Sequence, residues 1–261
     1  MRFDGKVVVV TGGALGIGRA ASEIFAERGA AVAILDMDED AGTKARTQIE
    51  QNGGNAIFLR ADVSRGKDVQ TAVDAAYAAF GQIDSLVVSA GIQRYGTAVS
   101  TSEEEWDKVL DVNLKGAWSS AKAIIPFLLE AGGGTIVNVS SVQALASQQN
   151  VLAYTVSKHG LLGLTRSIAM DFAKDNIRSN AVCPGTVDTP MLKWAASLDP
   201  DPKSVYDACN QMHPLGRIAQ PREIAEVIAF LAHESSSFVT GAVWTVDGGL
   251  LTQIGGVPQT E

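Results

Sequence analysis

Apolar residues fall into two alternating patterns along this chain. Short continuous runs at residues 6–11, 31–36, 55–61, 85–89, 135–139, 179–183 and 242–246 read as strands buried on both faces. Between them lie longer stretches whose apolar positions recur at helical spacing: 19–28, closed by Gly29, then 38–51, 66–80, 102–129, 152–174 and 221–232. This regular alternation predicts an α/β fold built as one domain over residues 1–261, a doubly wound parallel sheet with helices on both faces. One segment, 189–212, has mixed character and is interrupted or followed by Pro190, Pro200, Pro202 and Pro214. It reads as an irregular, mobile flap over a substrate site, spanning 189–214, because long insertions in compact α/β domains are usually functional. The tail, 253–261, has no periodicity and reads as an arm or a frayed end.

Composition narrows the function classes. With 46% hydrophobic and 19% charged residues and a positive mean hydropathy, the chain is that of a packed enzyme, not a disordered one. A net charge of −8 with no basic run excludes the phosphate-neutralising surface that nucleic acid requires. No apolar stretch reaches membrane-spanning length, and residues 1–6 lead into the first strand without an apolar leader or cleavage site. Cys183 and Cys209 form neither a disulfide framework nor a metal-ligand spacing, and His159, His213 and His233 are scattered. A cytoplasmic protein without a metal centre is expected.

The chemistry-bearing residues begin where the first strand hands over to a helix. Gly12, Gly16 and Gly18, in the run Thr11-Gly-Gly-Ala-Leu-Gly-Ile-Gly18, follow a G-x-x-x-G-x-G spacing. There, backbone N–H groups and the positive helix end can hold a pyrophosphate, as in Rossmann-type folds. Asp36 ends the second strand, 18 residues beyond Gly18, where a carboxylate can accept from adenosine ribose hydroxyls. The residues that follow, Met37, Asp38, Glu39 and Asp40, supply no cation for a 2′-phosphate, so NAD is expected over NADP. The plainer alternative is that Asp36 opens a turn or caps the next helix.

Tyr154 and Lys158 lie four apart on a helical segment, so both project from one face. An ammonium beside a phenol favours the phenolate and would tune it for proton transfer. Ser140 and Ser141 follow a strand end, where α/β sheets present ligand-contacting side chains, and Asn113 lies within a helical segment.

Together these residues resemble the short-chain dehydrogenase/reductase family over approximately residues 3–249. The resemblance is carried by 11–18, Asp62-Val63, Ser89-Ala90-Gly91, Asn113, Ser141, Tyr154, Lys158 and Pro184-Gly185. It implies Tyr154 as acid/base, Ser141 holding the substrate oxygen, Lys158 on the nicotinamide ribose, and Asn113 positioning a relay water. It further implies a cofactor path past Gly12, Leu15, Gly16, Ile17, Gly18, Asp62, Val63, Ala90, Gly91, Pro184, Gly185, Val187 and Thr189, and a homotetramer built on long helices such as 152–174 and the last strand. Ser89 departs from the family, which often has Asn there.

The stretches 141–146 and 183–190 look like members acting on sugars and deoxy-sugar acids. Gln143, Gln148, Gln149 and Asn150 can donate to and accept from hydroxyls, and Arg94 can pair with a carboxylate. Equally plain is a solvated loop with Arg94 bridged to a nearby acid. Met191 and Trp194 read either as a pocket wall or as ordinary core. The expected substrate is a small polyhydroxylated molecule. Two alternatives stand beside it: a 3-oxoacyl carrier-protein reductase, disfavoured by Asp36 because such enzymes usually take NADPH, and a cofactor-sensing interaction protein that has lost catalysis, disfavoured by the intact Ser141, Tyr154 and Lys158.

Overall fold

The computed structural model of the chain describes residues 1–253; most of the tail singled out above lies outside them. Seven strands form one sheet: β1 (Val7–Thr11), β2 (Ala31–Asp36), β3 (Asn55–Arg60), β4 (Ser85–Val88), β5 (Gly134–Val139), β6 (Ile177–Pro184) and β7 (Val243–Val246). Their spatial order is β3-β2-β1-β4-β5-β6-β7, and every pairing is parallel. The order reverses between β1 and β4, so the carboxyl ends of these two strands flank the crevice where such sheets bind ligands.

Side chains alternate across the pleat, which is why each strand reads as a continuous apolar run. Val8 and Val10 of β1 pack with Ile24 and Phe25 of α1 (Gly16–Glu27) and with Ile224 and Ile228 of α9 (Pro221–Ala232). Val7 and Val9 pack on the opposite face, with Val69 and Val73 of α3 (Gly66–Phe80), Ile124 and Leu128 of α5 (Gly116–Glu130), and Leu161 and Ile168 of α6 (Leu152–Phe172). The edge strand β3 is covered by α2 (Glu39–Gln51). Among the described residues no helix is long and apolar enough to cross a membrane.

Two segments differ from the sequence reading. The stretch 189–212 is not irregular: it forms α7 (Pro190–Ala196) and α8 (Pro202–Met212). Pro190 and Pro202 begin these helices instead of breaking them, since a first-turn residue needs no N–H partner. Thr189 and Asp201 cap them, accepting from the Leu192 and Lys203 N–H groups at 3.4 and 3.1 Å. The helical stretch 102–129 divides into α4 (Glu103–Leu110), one π-helical turn (Asp111–Lys115) and α5. The extra residue per turn in the middle falls on Asn113.

Candidate active site

The glycine turn lies against the end of β4. Gly12 has φ +64°, and a Cβ built on it would stand 2.7 Å from the Ala90 backbone. A Cβ on Gly18 would meet the Gly12 carbonyl oxygen at 2.1 Å, so the start of α1 can approach the turn only without a side chain. Leu15 precedes α1 and makes no side-chain cap, which leaves the N–H groups of Gly16, Ile17 and Gly18 pointing out of the helix start. Asp36 reaches across to this turn, accepting the Ala14 N–H at 3.1 Å through Oδ2 and the Asp38 N–H at 3.1 Å through Oδ1. Asp38, not Asp36, caps α2, by accepting from Ala41 at 2.9 Å. The Asp36 carboxylate is therefore fixed beside the glycine turn, as an adenosine ribose would require.

The remaining cofactor candidates line the same edge of the sheet. Asp62 accepts from the Ser64 N–H at 3.0 Å, and Val63 packs against Gly116. A Cβ on Gly91 would lie 3.4 Å from Asn113 Oδ1 and 3.6 Å from Lys158 Nζ, which places the strip 89–91 directly over the polar centre. Beyond Pro184, Val187 pairs with Ala219 as an isolated parallel bridge, and Thr189 Cγ2 lies 3.3 Å from a Cβ built on Gly16. The loop after β6 thus closes onto the glycine turn, and the residues present fit a dinucleotide lying between them.

Ser141, Tyr154, Lys158 and Asn113 converge at the ends of β4 and β5, all buried. Tyr154 is 7% and Lys158 5% exposed, and the Lys158 Nζ lies 5.5 Å from the Tyr154 ring centroid. Nζ donates to the Val139 carbonyl at 2.9 Å. Burial pushes the Tyr154 hydroxyl up to about 12, against a lowering hydrogen bond with Ser141. Burial also pushes Lys158 down to about 8. The expected ammonium effect on the phenol does not enter here, because Nζ sits toward the ring and aims its hydrogen bond at Val139.

The two adjacent serines have different work. Ser140 Oγ donates to the Lys158 carbonyl at 3.1 Å and ties β5 to α6, whereas Ser141 Oγ accepts the Gln143 N–H at 3.1 Å and stands beside Tyr154. Asn113 uses its side chain structurally. Its Oδ1 accepts the Ile92 N–H at 2.8 Å, and its Nδ2 donates to the Ile92 carbonyl at 2.9 Å and to Ser157 Oγ at 3.0 Å. The Asn113 side chain clamps the 90–92 strip against α6.

The substrate side departs most from expectation. Arg94 is paired with Glu105 at 3.2 Å and lies 5.4 Å over the Trp194 ring, so its guanidinium already has a carboxylate. Gln143 donates to Gln148 at 2.9 Å, and Gln149 is exposed. Unforeseen from sequence is Tyr95, which stacks on Trp194 with centroids 5.8 Å apart and planes 18° apart. The Gly96 N–H donates to Asn150 at 2.7 Å, and Leu152 donates back to Gly96 at 3.2 Å, which holds this strip beside the start of α6 and its Tyr154. Trp194 thereby packs on Tyr95 and under Arg94 and is 36% exposed, so it is not core. No periodicity marks Tyr95, and only the fold brings it to Trp194.

A family model described as enoyl-(acyl carrier protein) reductase matches residues 12–251, and the chain belongs to the short-chain dehydrogenase/reductase family. It is an oxidoreductase of that family, whose Rossmann fold implies a nicotinamide cofactor, NAD or NADP. An uncharacterized oxidoreductase of Thermotoga maritima is 42% identical over 249 residues, covering 95% of this chain and 98% of the relative. The cis-4-hydroxycyclohexanecarboxylate dehydrogenase of Sinomonas cyclohexanicum is 41% identical, over 95% of this chain and 97% of its own. Among solved structures, the ligand-free aldohexose dehydrogenase of Thermoplasma acidophilum superimposes with a TM-score of 0.89 at 38% identity, covering 98% of both chains.

Proposed function

We propose that this protein catalyses NAD-dependent oxidation of one secondary hydroxyl on a small, ring-shaped, polyhydroxylated substrate such as a sugar, and the reverse reduction of the ketone. The observation that carries the reading is the buried Ser141–Tyr154–Lys158 group at the ends of β5 and α6, facing a glycine turn that holds Asp36. Ser141 Oγ holds the substrate oxygen, and Tyr154, as its phenolate, takes the alcohol proton as the carbonyl forms and returns it from the hydroxyl in the reverse reduction. A bound nicotinamide supplies the acceptor for the hydride. Lys158 orients the cofactor ribose, and the positive charge of an oxidised nicotinamide would favour the phenolate against the burial that otherwise holds Tyr154 protonated.

The Asp36 carboxylate supports NAD, since a 2′-phosphate would meet like charge there. The Tyr95–Trp194 stack supports a ring whose apolar face can lie on aromatic surface, while Gln143 and Gln149 offer amides to its hydroxyls. The aldohexose and the hydroxycyclohexanecarboxylate in the names of the relatives are also ring alcohols, the second carrying a carboxylate. Because Arg94 is already neutralised by Glu105, the reading favours uncharged rings over acids. A homotetramer in a reducing, cytoplasmic setting completes the reading.

Coupled turnover with NAD and NADP against sugars, cycloalkanols, open-chain alcohols and acyl thioesters tests it. Ring alcohols with NAD should be the best substrates, and Asp36→Ala should raise the KM for NAD and relax discrimination against NADP. Preference of the parent enzyme for NADPH, or for acyl thioesters, would sink the proposal.

A further inference from the structure

His213 takes no part in the reading above, yet it is 3% exposed and sits where α8 ends, against the turn that follows β6. Its Nδ1 lies 2.7 Å from the Cys209 carbonyl, and its Nε2 lies 3.1 Å from the Thr186 N–H. A carbonyl can only accept and a backbone N–H can only donate. Nδ1 therefore carries the proton and Nε2 is the bare acceptor, so the geometry specifies the neutral imidazole and one of its two tautomers. Gly185 makes room for this grip: a Cβ there would stand 2.6 Å from His213 Nε2.

Thr186 lies between Pro184-Gly185 and Val187-Thr189, the turn assigned above to the cofactor. The arm α7–α8 is thus held at both ends of its path. Thr189 caps α7 over the glycine turn, and His213 ties the end of α8 to Thr186.

We propose that His213 is a positioning residue whose neutral imidazole latches the α7–α8 arm onto the cofactor-binding turn 184–189, and whose protonation releases that latch and weakens cofactor binding. An imidazolium would set an N–H against the Thr186 N–H, a contact no rotation of the backbone amide can relieve. The groups facing the ring are few. Cys209 lies on its own helix, and Asp247, which follows β7, is engaged by the N–H groups of Gly249 and Leu251 at 3.0 and 2.9 Å. Arg217 and Glu223 line the same small cleft and pair with each other at 2.7 Å. None of these carboxylates hydrogen-bonds the ring among the described residues, so no acceptor stands ready to take an Nε2 proton.

This inference rests on the assignment of 184–189 to the cofactor, and the test separates the two. NADH affinity is measured by fluorescence titration between about pH 5.5 and 8, the range in which imidazole charges, on the parent, His213→Gln and His213→Leu. On acidification the parent should lose NADH affinity, roughly tenfold or more once the latch is released. His213→Gln keeps an acceptor that does not titrate and should bind almost evenly across it, near the parent's neutral affinity. His213→Leu should bind weakly throughout, with KM for the cofactor raised and kcat within a few-fold of the parent. Identical pH profiles for the parent and His213→Gln would overturn the latch even if His213→Leu fails to fold. So would a folded His213→Leu that binds as tightly as the parent at neutral pH. A parent that binds no NADH at neutral pH would overturn the cofactor assignment itself.

Discussion

Tyr154 and Lys158 are both displaced from their ordinary values by burial, in opposite directions, and each shift has a measurable consequence. Tyr154→Phe keeps the ring and removes the proton, so turnover should fall by about 10²-fold or more while NADH binding stays near normal. Steady-state kinetics within a few-fold of the parent would rule out Tyr154 as the acid/base. For Lys158 the sign follows from a folded value of about 8 below the ordinary 10.5. At neutral pH the buried ammonium costs stability. That cost fades as pH rises through 8 and is gone above 10.5. The Tm difference between the parent and Lys158→Met should therefore move in the parent's favour from about pH 7 to pH 10. A constant difference would show that Lys158 is better solvated than its 5% exposure indicates.

The glycine turn and α1 act as one element, because Gly18 packs on the carbonyl of Gly12. Gly18→Ala would force backbone against backbone, with no flexible side chain to yield. Stability should drop by about 1–3 kcal/mol or more, with loss of NADH binding, read by thermal melting and titration. An unchanged melt would mean the turn can open without cost. The proline-started helices α7 and α8 teach a different lesson. Proline at 190 and 202 reads as a break from local pattern, yet a capping Thr189 or Asp201 immediately before it makes the same residue a helix start. The cap was legible; its meaning was lost among nearby prolines. The π turn at Asn113 left no such mark, since its apolar spacing matches that of an ordinary helix.

At the scale of the whole molecule, large apolar side chains remain exposed on many elements, among them the helices and the strand expected at subunit contacts. Val156 and Met170 of α6, Trp118 of α5 and Trp244 of β7 are all exposed. Burying these faces between subunits is the expected route to a homotetramer, with a light-scattering mass four times the 27.4 kDa of the chain. A monomeric mass at working concentration would contradict it. Ion pairs between α1 and α9, Arg222–Glu27 at 2.6 Å and Arg28–Glu226, lie on the far side of the sheet from α6.

The strands, their parallel pairing, the glycine turn with Asp36 and the shared face of Tyr154 and Lys158 could be read from the chain, because period, turn chemistry and i, i+4 spacing are local properties, whereas Ser141 was singled out by the family resemblance. Who meets whom across the molecule could not. Arg94 found Glu105 instead of remaining free for a ligand, and Asn113 turned inward to Ile92. Tyr95 met Trp194 across 99 positions, and His213 closed on Thr186 across 27. Such contacts depend on where whole elements pack, and packing is a property of the assembled sheet and helices, which no window of neighbouring residues contains.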